Sequence, residues 1–227
     1  MERISYIDLL AKNGIDCAHP GGLALTKQIL RNETITSNMV LLDVGCGTGQ
    51  TSAYIAKYYP CKVIAIDINP NMLEKARQKF VDYQLEIPLI RANAMDLPFR
   101  KDSFDIILAE SVTTFTDNIR RTLQEYCRVL KPGGILLAIE GTALLPLEKT
   151  EMKDLKSILG IALLPTKNEW RQLFQEVGFN SVRVLYQQPM NWMGYFPSES
   201  AEYFQEYRKT MYRNRKKFGF GIYRCTV

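Results

Sequence analysis

The stretch LDVGCGTGQ, Leu42 to Gln50, sets glycines at alternate positions, Gly45, Gly47 and Gly49, just beyond a carboxylate, Asp43. A backbone this bare can approach a ligand closely and adopt conformations closed to residues with a Cβ. The stretch joins an apolar run to a helical one, and open α/β sheets bind ligands at such turns, beyond the carboxyl ends of their strands. A nicotinamide or flavin dinucleotide requires GxGxxG, but counted from Gly45 the third glycine falls on Gln50. Asp43 would also repel a pyrophosphate and favour an ammonium group. A second carboxylate, Asp67, ends the next apolar run 20 residues beyond Gly47. An acidic side chain there can accept hydrogen bonds from both hydroxyls of a ribose. An amino acid joined to adenosine meets all of these requirements, and S-adenosylmethionine is that molecule.

Elements of a particular kind must hold such residues. MVLLDV (39–44), CKVIAID (61–67), IPLIRAN (87–93), FDIILAES (104–111) and GILLAIEG (134–141) read as strands, and their near-continuous apolar character suits a parallel sheet covered on both faces. Asn69 and Pro70 start a helix that turns Met72, Leu73, Ala76 and Phe80 to one face. Asp117 is the expected cap of another, with Ile119, Leu123, Cys127 and Leu130 inward and KPGG (131–134) ending it. Strand and helix alternating at this spacing predict right-handed βαβ units. The expected fold is α/β: a doubly wound, mostly parallel seven-stranded sheet with helices on both faces. One domain is expected over 1–227, with an N-terminal helical cap (1–38) and a cofactor-binding core (39–190) carrying an insertion (142–170). A C-terminal helix and last strand (191–227) complete it.

The ordered motifs LDVGCGTG (42–49), VIAIDINPNMLEKAR (63–77), NAMDLPF (93–99), FDIILAES (104–111) and EYCRVLKPGG (125–134) resemble those of the Rossmann-like S-adenosylmethionine-dependent methyltransferases. The nearest subgroup comprises the small-molecule enzymes of ubiquinone and menaquinone biosynthesis and the glycine-type N-methyltransferases. The resemblance implies that Asp43 and the Gly45 backbone receive the methionine amino group, with Cys46, Gly47 and Gln50 along the same loop. It puts Asp67 on the ribose, Ile68 and Met72 against the adenine, and Asn93, Ala94 and Met95 at the adenine edge. Met72 fits the helix core equally well. Family members commonly carry aspartate where this chain has Asn93, whose amide oxygen can still accept. Asp96 reads as a turn-fixing residue. The product of the implied reaction is S-adenosylhomocysteine.

On the acceptor side, Glu110 and Ser111 end the fourth strand, and the loop SVTTFTD (111–117), with Thr114, should line the same mouth. Glu110 is a candidate to steady the sulfonium, bind a cationic acceptor or take a proton. HPGG (19–22) opens a helix with two glycines whose N–H groups suit an anion, and His19 is a second catalytic candidate or a structural cap. The aromatic segment 191–217, with Trp192 and Tyr195, either roofs an apolar acceptor pocket or packs a helix on the sheet.

Bulk properties exclude several classes. With 227 residues, 46% hydrophobic, the chain is long enough for a sizeable core. No run is long enough to span a membrane, and the charged N-terminus does not read as a signal peptide; a cytoplasmic protein is expected. Five dispersed cysteines and one histidine argue against a disulfide framework, a metal site or arsenite chemistry. Between Tyr207 and Val227 lie seven basic residues and no acidic one, while the remainder holds 22 basic against 24 acidic. That run is either a solvated helix face or a surface for nucleic acid. Against nucleic-acid methylation, AESV (109–112) replaces the Asn/Asp-Pro-Pro-aromatic motif, and Pro60-Cys61 opens the second strand rather than following the fourth. A small-molecule methyl acceptor is the leading expectation, RNA or protein methylation the alternative, and a non-catalytic binding module the third.

Overall fold

A computed structural model describes residues 10, 12, 15–161, 163–189 and 202–227, without the side chains of 202–204 and 206–208. Seven strands form one sheet: β1 (Val40–Val44), β2 (Lys62–Asp67), β3 (Leu89–Arg91), β4 (Phe104–Glu110), β5 (Leu130–Ala143), β6 (Ser181–Pro189) and β7 (Phe218–Thr226). Their order is β3-β2-β1-β4-β5-β7-β6. β1 to β5 are parallel, and β7 runs antiparallel to both β5 and β6. The order reverses between β1 and β4, which places the LDVGCGTGQ turn at the switch point of the sheet.

The strands are apolar throughout because both faces are covered. Leu41, Ile106, Leu108, Leu137 and Ile139 pack with Ile29 and Leu30 of α1 (Gly22–Leu30) and Ile55 of α2 (Gln50–Tyr58). The alternate residues Leu42, Ile107, Leu136 and Ala138 face Leu123 and Tyr126 of α4 (Ile119–Val129) and Trp170 and Phe174 of α6 (Lys167–Glu176). Between them in sequence, α3 (Pro70–Asp82) buries Met72, Leu73, Ala76 and Phe80, the face its periodicity predicts, and Asn69 caps it by accepting from the N–H groups of Asn71 and Met72. The remaining helices, α5 (Lys149–Leu159) and α7 (Glu202–Arg213), join a cluster that contains Leu155, Ile158, Met211 and Phe218. No helix among the described residues is long and apolar enough to cross a membrane.

Several sequence expectations are corrected. Asn118, not Asp117, caps α4, its side chain accepting from Arg121 N–H at 3.0 Å. The inward face of α4 is wider than expected: Glu125 and Tyr126 are buried, while Cys127 is only partly so. KPGG does not separate helix from strand, because Leu130 already pairs with Phe104 and the glycines form an irregularity inside β5, with Gly133 at φ +78°. β3 is three residues long; Pro88 before it lacks an N–H for the ladder, and Asn93 beyond it turns the chain by accepting from Met95 N–H. β6 is a half-exposed edge strand, without the apolar run that marks the central ones.

The burial of Glu125 explains how two motifs become one unit. Its carboxylate accepts Leu97 N–H at 2.8 Å and two bonds from Arg128, at 2.7 and 2.8 Å. Arg128 also donates to the carbonyls of Leu97 and Phe99, and Arg121 to that of Met95. EYCRVLKPGG thus holds NAMDLPF in place. Arg128 keeps the Glu125 carboxyl below its usual value of 4.5. The pair therefore stabilises the fold fully above that value and loses its contribution as pH falls through the lower folded one. Arg128→Ala is expected to cost about 1–3 kcal/mol in urea unfolding at neutral pH. The difference from the parent should shrink in acid, and a constant difference down to low pH would contradict the assignment.

Candidate functional site

The loop between β1 and α2 has all three glycines in the left-handed region, at φ +66°, +55° and +79°. At Gly45 a Cβ would lie 2.4 Å from Val112 Cγ2, and at Gly49 2.7 Å from Phe80, so side chains are excluded by packing as well as by dihedral angle. Asp67, at the end of β2, holds the loop's shape: Oδ2 accepts Gly47 N–H at 2.9 Å and Oδ1 accepts Asn69 N–H at 2.8 Å. Asp43 is 2% exposed and accepts from the Ser52 hydroxyl.

These groups face a cavity of about 280 Å³ at the carboxyl ends of β1, β2 and β4. Asp43, Gly45, Cys46, Gly47 and Gln50 line it from the loop; Asp67, Ile68 and Met72 line it from the end of β2 and α3. Asn93, Ala94 and Met95 close one side, and Glu110, Ser111 and His19 the other. Ile68 is 57% exposed, an apolar side chain displayed at the rim. Met72 lines the cavity and also belongs to the cluster shared with Leu155 and Met211. Thr114 is a correction. It is buried and outside the cavity wall, with its hydroxyl donating to Glu140 at 3.1 Å. Gly21 and Gly22 also lie outside the wall, although His19 is in it. Trp192 and Tyr195 fall outside the described residues.

Glu110, at the end of β4, lines the cavity beside Ser111 and His19. Its side chain is 7% exposed, and it accepts from Thr26 at 2.6 Å and Thr51 at 2.9 Å, with His19 Nε2 at 3.3 Å. The other imidazole nitrogen lies 3.2 Å from the Pro20 carbonyl. This knot ties residues 19–26 to α2 and β4. The preceding residues are tied as well, because Asp16 meets the Thr48 hydroxyl and the Lys79 ammonium. Cys17 lies against Thr51, and burial pushes its thiol up to about 12, so it is not a thiolate.

Sequence reasoning missed Glu140, which it read as one position in an apolar strand. The residue is 1% exposed and accepts the N–H groups of Val112, Thr113 and Thr114 at 3.3, 2.9 and 3.3 Å. It satisfies the start of the short 3₁₀ turn Thr113–Phe115, which Ser111 enters at φ +58°. That fixes Val112 against Gly45 and Phe115 in the cavity wall. The only local signal was a charged residue amid GILLAIEG, an expensive choice unless several donors meet it.

The cavity's electrostatics are those of a cation site. Asp43 is pushed up to about 8, first by burial and then by the charge of Glu110, against the Ser52 hydrogen bond. Burial also raises Asp67. None of the described lining residues is lysine or arginine. An ammonium or sulfonium would relieve this concentration of acids, and the left-handed Gly47, with no atom within 4 Å of its would-be Cβ, leaves its backbone open to a ligand. The residues present therefore fit the ligand expected from the sequence.

Comparison with known proteins gives the same direction. A family profile described as "Methyltransferase domain" matches residues 42–138. The chain is 39% identical over 181 residues to the uncharacterized methyltransferase YodH of Bacillus subtilis, covering 79% of this chain and 76% of that one. It is 28% identical over 181 residues to a demethylmenaquinone methyltransferase of Staphylococcus saprophyticus, covering 70% of this chain and 77% of the other. A solved phosphoethanolamine N-methyltransferase 2 of Haemonchus contortus, in complex with phosphomonomethylethanolamine and S-adenosylhomocysteine, has a TM-score of 0.75 at 16% identity. It covers 92% of this chain and 53% of that chain, a likeness of fold.

The raised Asp43 carboxyl generates a binding prediction. At neutral pH it is mostly protonated without ligand, and a bound cation favours its ionised form. Binding of S-adenosylmethionine should release protons and tighten as pH rises toward about 8, then level off. Titration calorimetry in two buffers of different ionisation enthalpy reads the release directly, and Asp43→Asn should abolish it. The unliganded protein should also lose stability as pH rises from 3.8 through about 8, since the folded state resists ionisation. Equal binding heats in both buffers would contradict the assignment.

Proposed function

The chain belongs to the methyltransferase family, with S-adenosylmethionine as its cofactor, and on that premise we propose that it methylates a small, apolar acceptor of the hydroquinone type. The observation that carries this reading is the composition of the cavity wall. Toward the acceptor side it offers Ile15, Ala18 and Phe115, continuous with the apolar cluster of α5 and α7, then Val112 with Ser111, Thr116 and Asp117, and no described lysine or arginine. A glycine-type acceptor brings a carboxylate, which this wall would leave unpaired among acids. The demethylmenaquinone methyltransferases among the relatives support the same choice.

S-adenosylmethionine supplies an activated methyl group, so the chain's task is to bind, orient and exclude water. Asp43 and the Gly45 backbone hold the amino group, Asp67 the ribose hydroxyls, and Ile68 and Met72 the faces of the adenine. Asn93, Ala94 and Met95 meet the adenine edge, where the Asn93 amide oxygen is shared with the Met95 N–H. Glu110, fixed by Thr26 and Thr51, stands beside the transferring group. Ser111 and the turn behind it shape the acceptor wall. Glu110 and His19 together receive the proton that an acceptor hydroxyl gives up, and the His19–Glu110 contact closes the N-terminal segment over the cavity.

The first test is transfer of labelled methyl from S-adenosylmethionine into a cell extract separated into apolar metabolites, polar metabolites, RNA and protein. Label is expected in the apolar metabolites, and label confined to another fraction would overturn the reading. With the acceptor in hand, His19→Ala should lower kcat by about 10²–10⁴-fold while cofactor affinity stays within a few-fold. Unchanged turnover would remove the pair from the chemistry.

A further inference from the structure

The layer formed by α5, α7 and their flanking turns has two unlike sides. Its inner side carries Leu155, Ile158 and Met211, which share a cluster with the cavity-lining Met72, Phe115 and Ile15. It therefore stands beside the mouth, at the edge of the sheet where Ala143 ends β5 and pairs with Phe218. Its outer side is basic. Lys149, Lys153 and Lys156 are exposed at helical spacing on α5, and Lys209, Arg213 and Lys216 are exposed on α7 and the turn after it. Among residues 144–163 and 202–217 there are nine basic and five acidic side chains, an excess that makes up most of the whole chain's net charge of +5.

The C-terminal basic run is not a continuous stripe. Lys217 is paired with Glu151, and Arg224 with Glu33. What stays free is mixed with exposed apolar groups. Leu145 is 52%, Leu163 48% and Tyr212 64% exposed. Leu144 N–H donates to the Lys217 carbonyl at 2.8 Å, which brings Leu145 beside the basic turn, and Arg215 lies over the Tyr212 ring at 4.2 Å.

We propose that this outer surface docks the protein on an anionic lipid bilayer, with the cavity mouth beside the membrane so that an apolar acceptor enters without crossing water. The proposal extends the apolar-acceptor reading, and its test does not depend on methyl transfer. Cations interleaved with aliphatic and aromatic side chains match the headgroup region, where the charges meet anionic lipid and the apolar groups reach the acyl boundary. An RNA surface would gain nothing from Leu145 and Leu163, and it would need open aromatic faces for stacking, whereas Arg215 covers one face of Tyr212.

The full chain should sediment with vesicles of equal parts phosphatidylglycerol and phosphatidylcholine, and far less with pure phosphatidylcholine. Binding should weaken with salt. Each basic residue near an anionic surface contributes about fivefold, so reversing Arg213, Arg215 and Lys216 to glutamate should weaken binding on the order of a hundredfold or more. Arg77→Glu with Lys101→Glu, on exposed residues elsewhere, should change it little. Leu145→Ser with Tyr212→Ser should weaken it several-fold without altering its salt dependence. S-adenosylmethionine affinity should be retained in every variant, which shows that each is folded. Equal sedimentation with neutral and anionic vesicles, or binding untouched by the triple reversal, would overturn the proposal, as would tighter binding of a single-stranded RNA oligonucleotide through the same three residues. Methyl transfer to an acceptor dispersed in detergent, if retained while vesicle binding fails, would reject docking and leave the acceptor reading intact.

Discussion

Four carboxylates buried along one edge of the sheet are the constraint on which the rest of the site depends. Asp43 lies at the end of β1, Asp67 ends β2, Glu110 ends β4 and Glu140 lies near the end of β5. In a parallel sheet these ends share an edge, so the acids are neighbours by topology. Burying like charges together is costly, and no lysine or arginine is among the described lining residues. Compensation comes from hydroxyl and N–H donors brought by the loops. Ser52 serves Asp43, Gly47 and Asn69 serve Asp67, Thr26 and Thr51 serve Glu110, and residues 112–114 serve Glu140.

Seen this way, the loop conformations follow from what the acids need. The glycine loop is held by Asp67 from the neighbouring strand. The turn after β4 is held by Glu140 from the strand on its other side. Val112, fixed by Glu140, rests on Gly45, so the two loops are set against each other. The N-terminal segment closes the ring because Thr26 and His19 complete the shell around Glu110. One network thus connects the glycine-loop half of the cavity, proposed to hold the cofactor, to the half around Glu110 and His19, proposed to face the acceptor.

The cofactor half was legible in the sequence because its signals are local. Glycine spacing, a carboxylate at a strand end, and the Asn69–Pro70 helix start each lie within a few residues of the group they position. The acceptor half depends on partners far apart in the chain. Glu140 looked like one position in a strand because its donors come 26–28 residues earlier. Glu125 was not among the inward residues expected of α4 because its partner Leu97 lies 28 residues earlier in the chain, before β4. Thr114 was assigned to the mouth by its place in a loop, when its hydroxyl was already committed to Glu140. His19 was singled out as a lone titratable group, but its contact with Glu110 depends on the path of the N-terminal segment over α2, which no local pattern encodes.

The same acids select at both ends of the cavity. Toward the glycine loop they favour a ligand bearing positive charge, and an acid such as Asp43, displaced to about 8, ionises most readily when that charge is present. On the proposed reading they disfavour an acceptor that brings a second negative charge, because no lysine or arginine is among the described lining residues. On that reading, a neutral acceptor that gives up its proton only on reaching Glu110 and His19 would avoid that penalty during entry. The field proposed to hold the cofactor would then also narrow the acceptor class, which is why the absence of a cation among the described lining residues bears on the proposed substrate as much as on the cofactor.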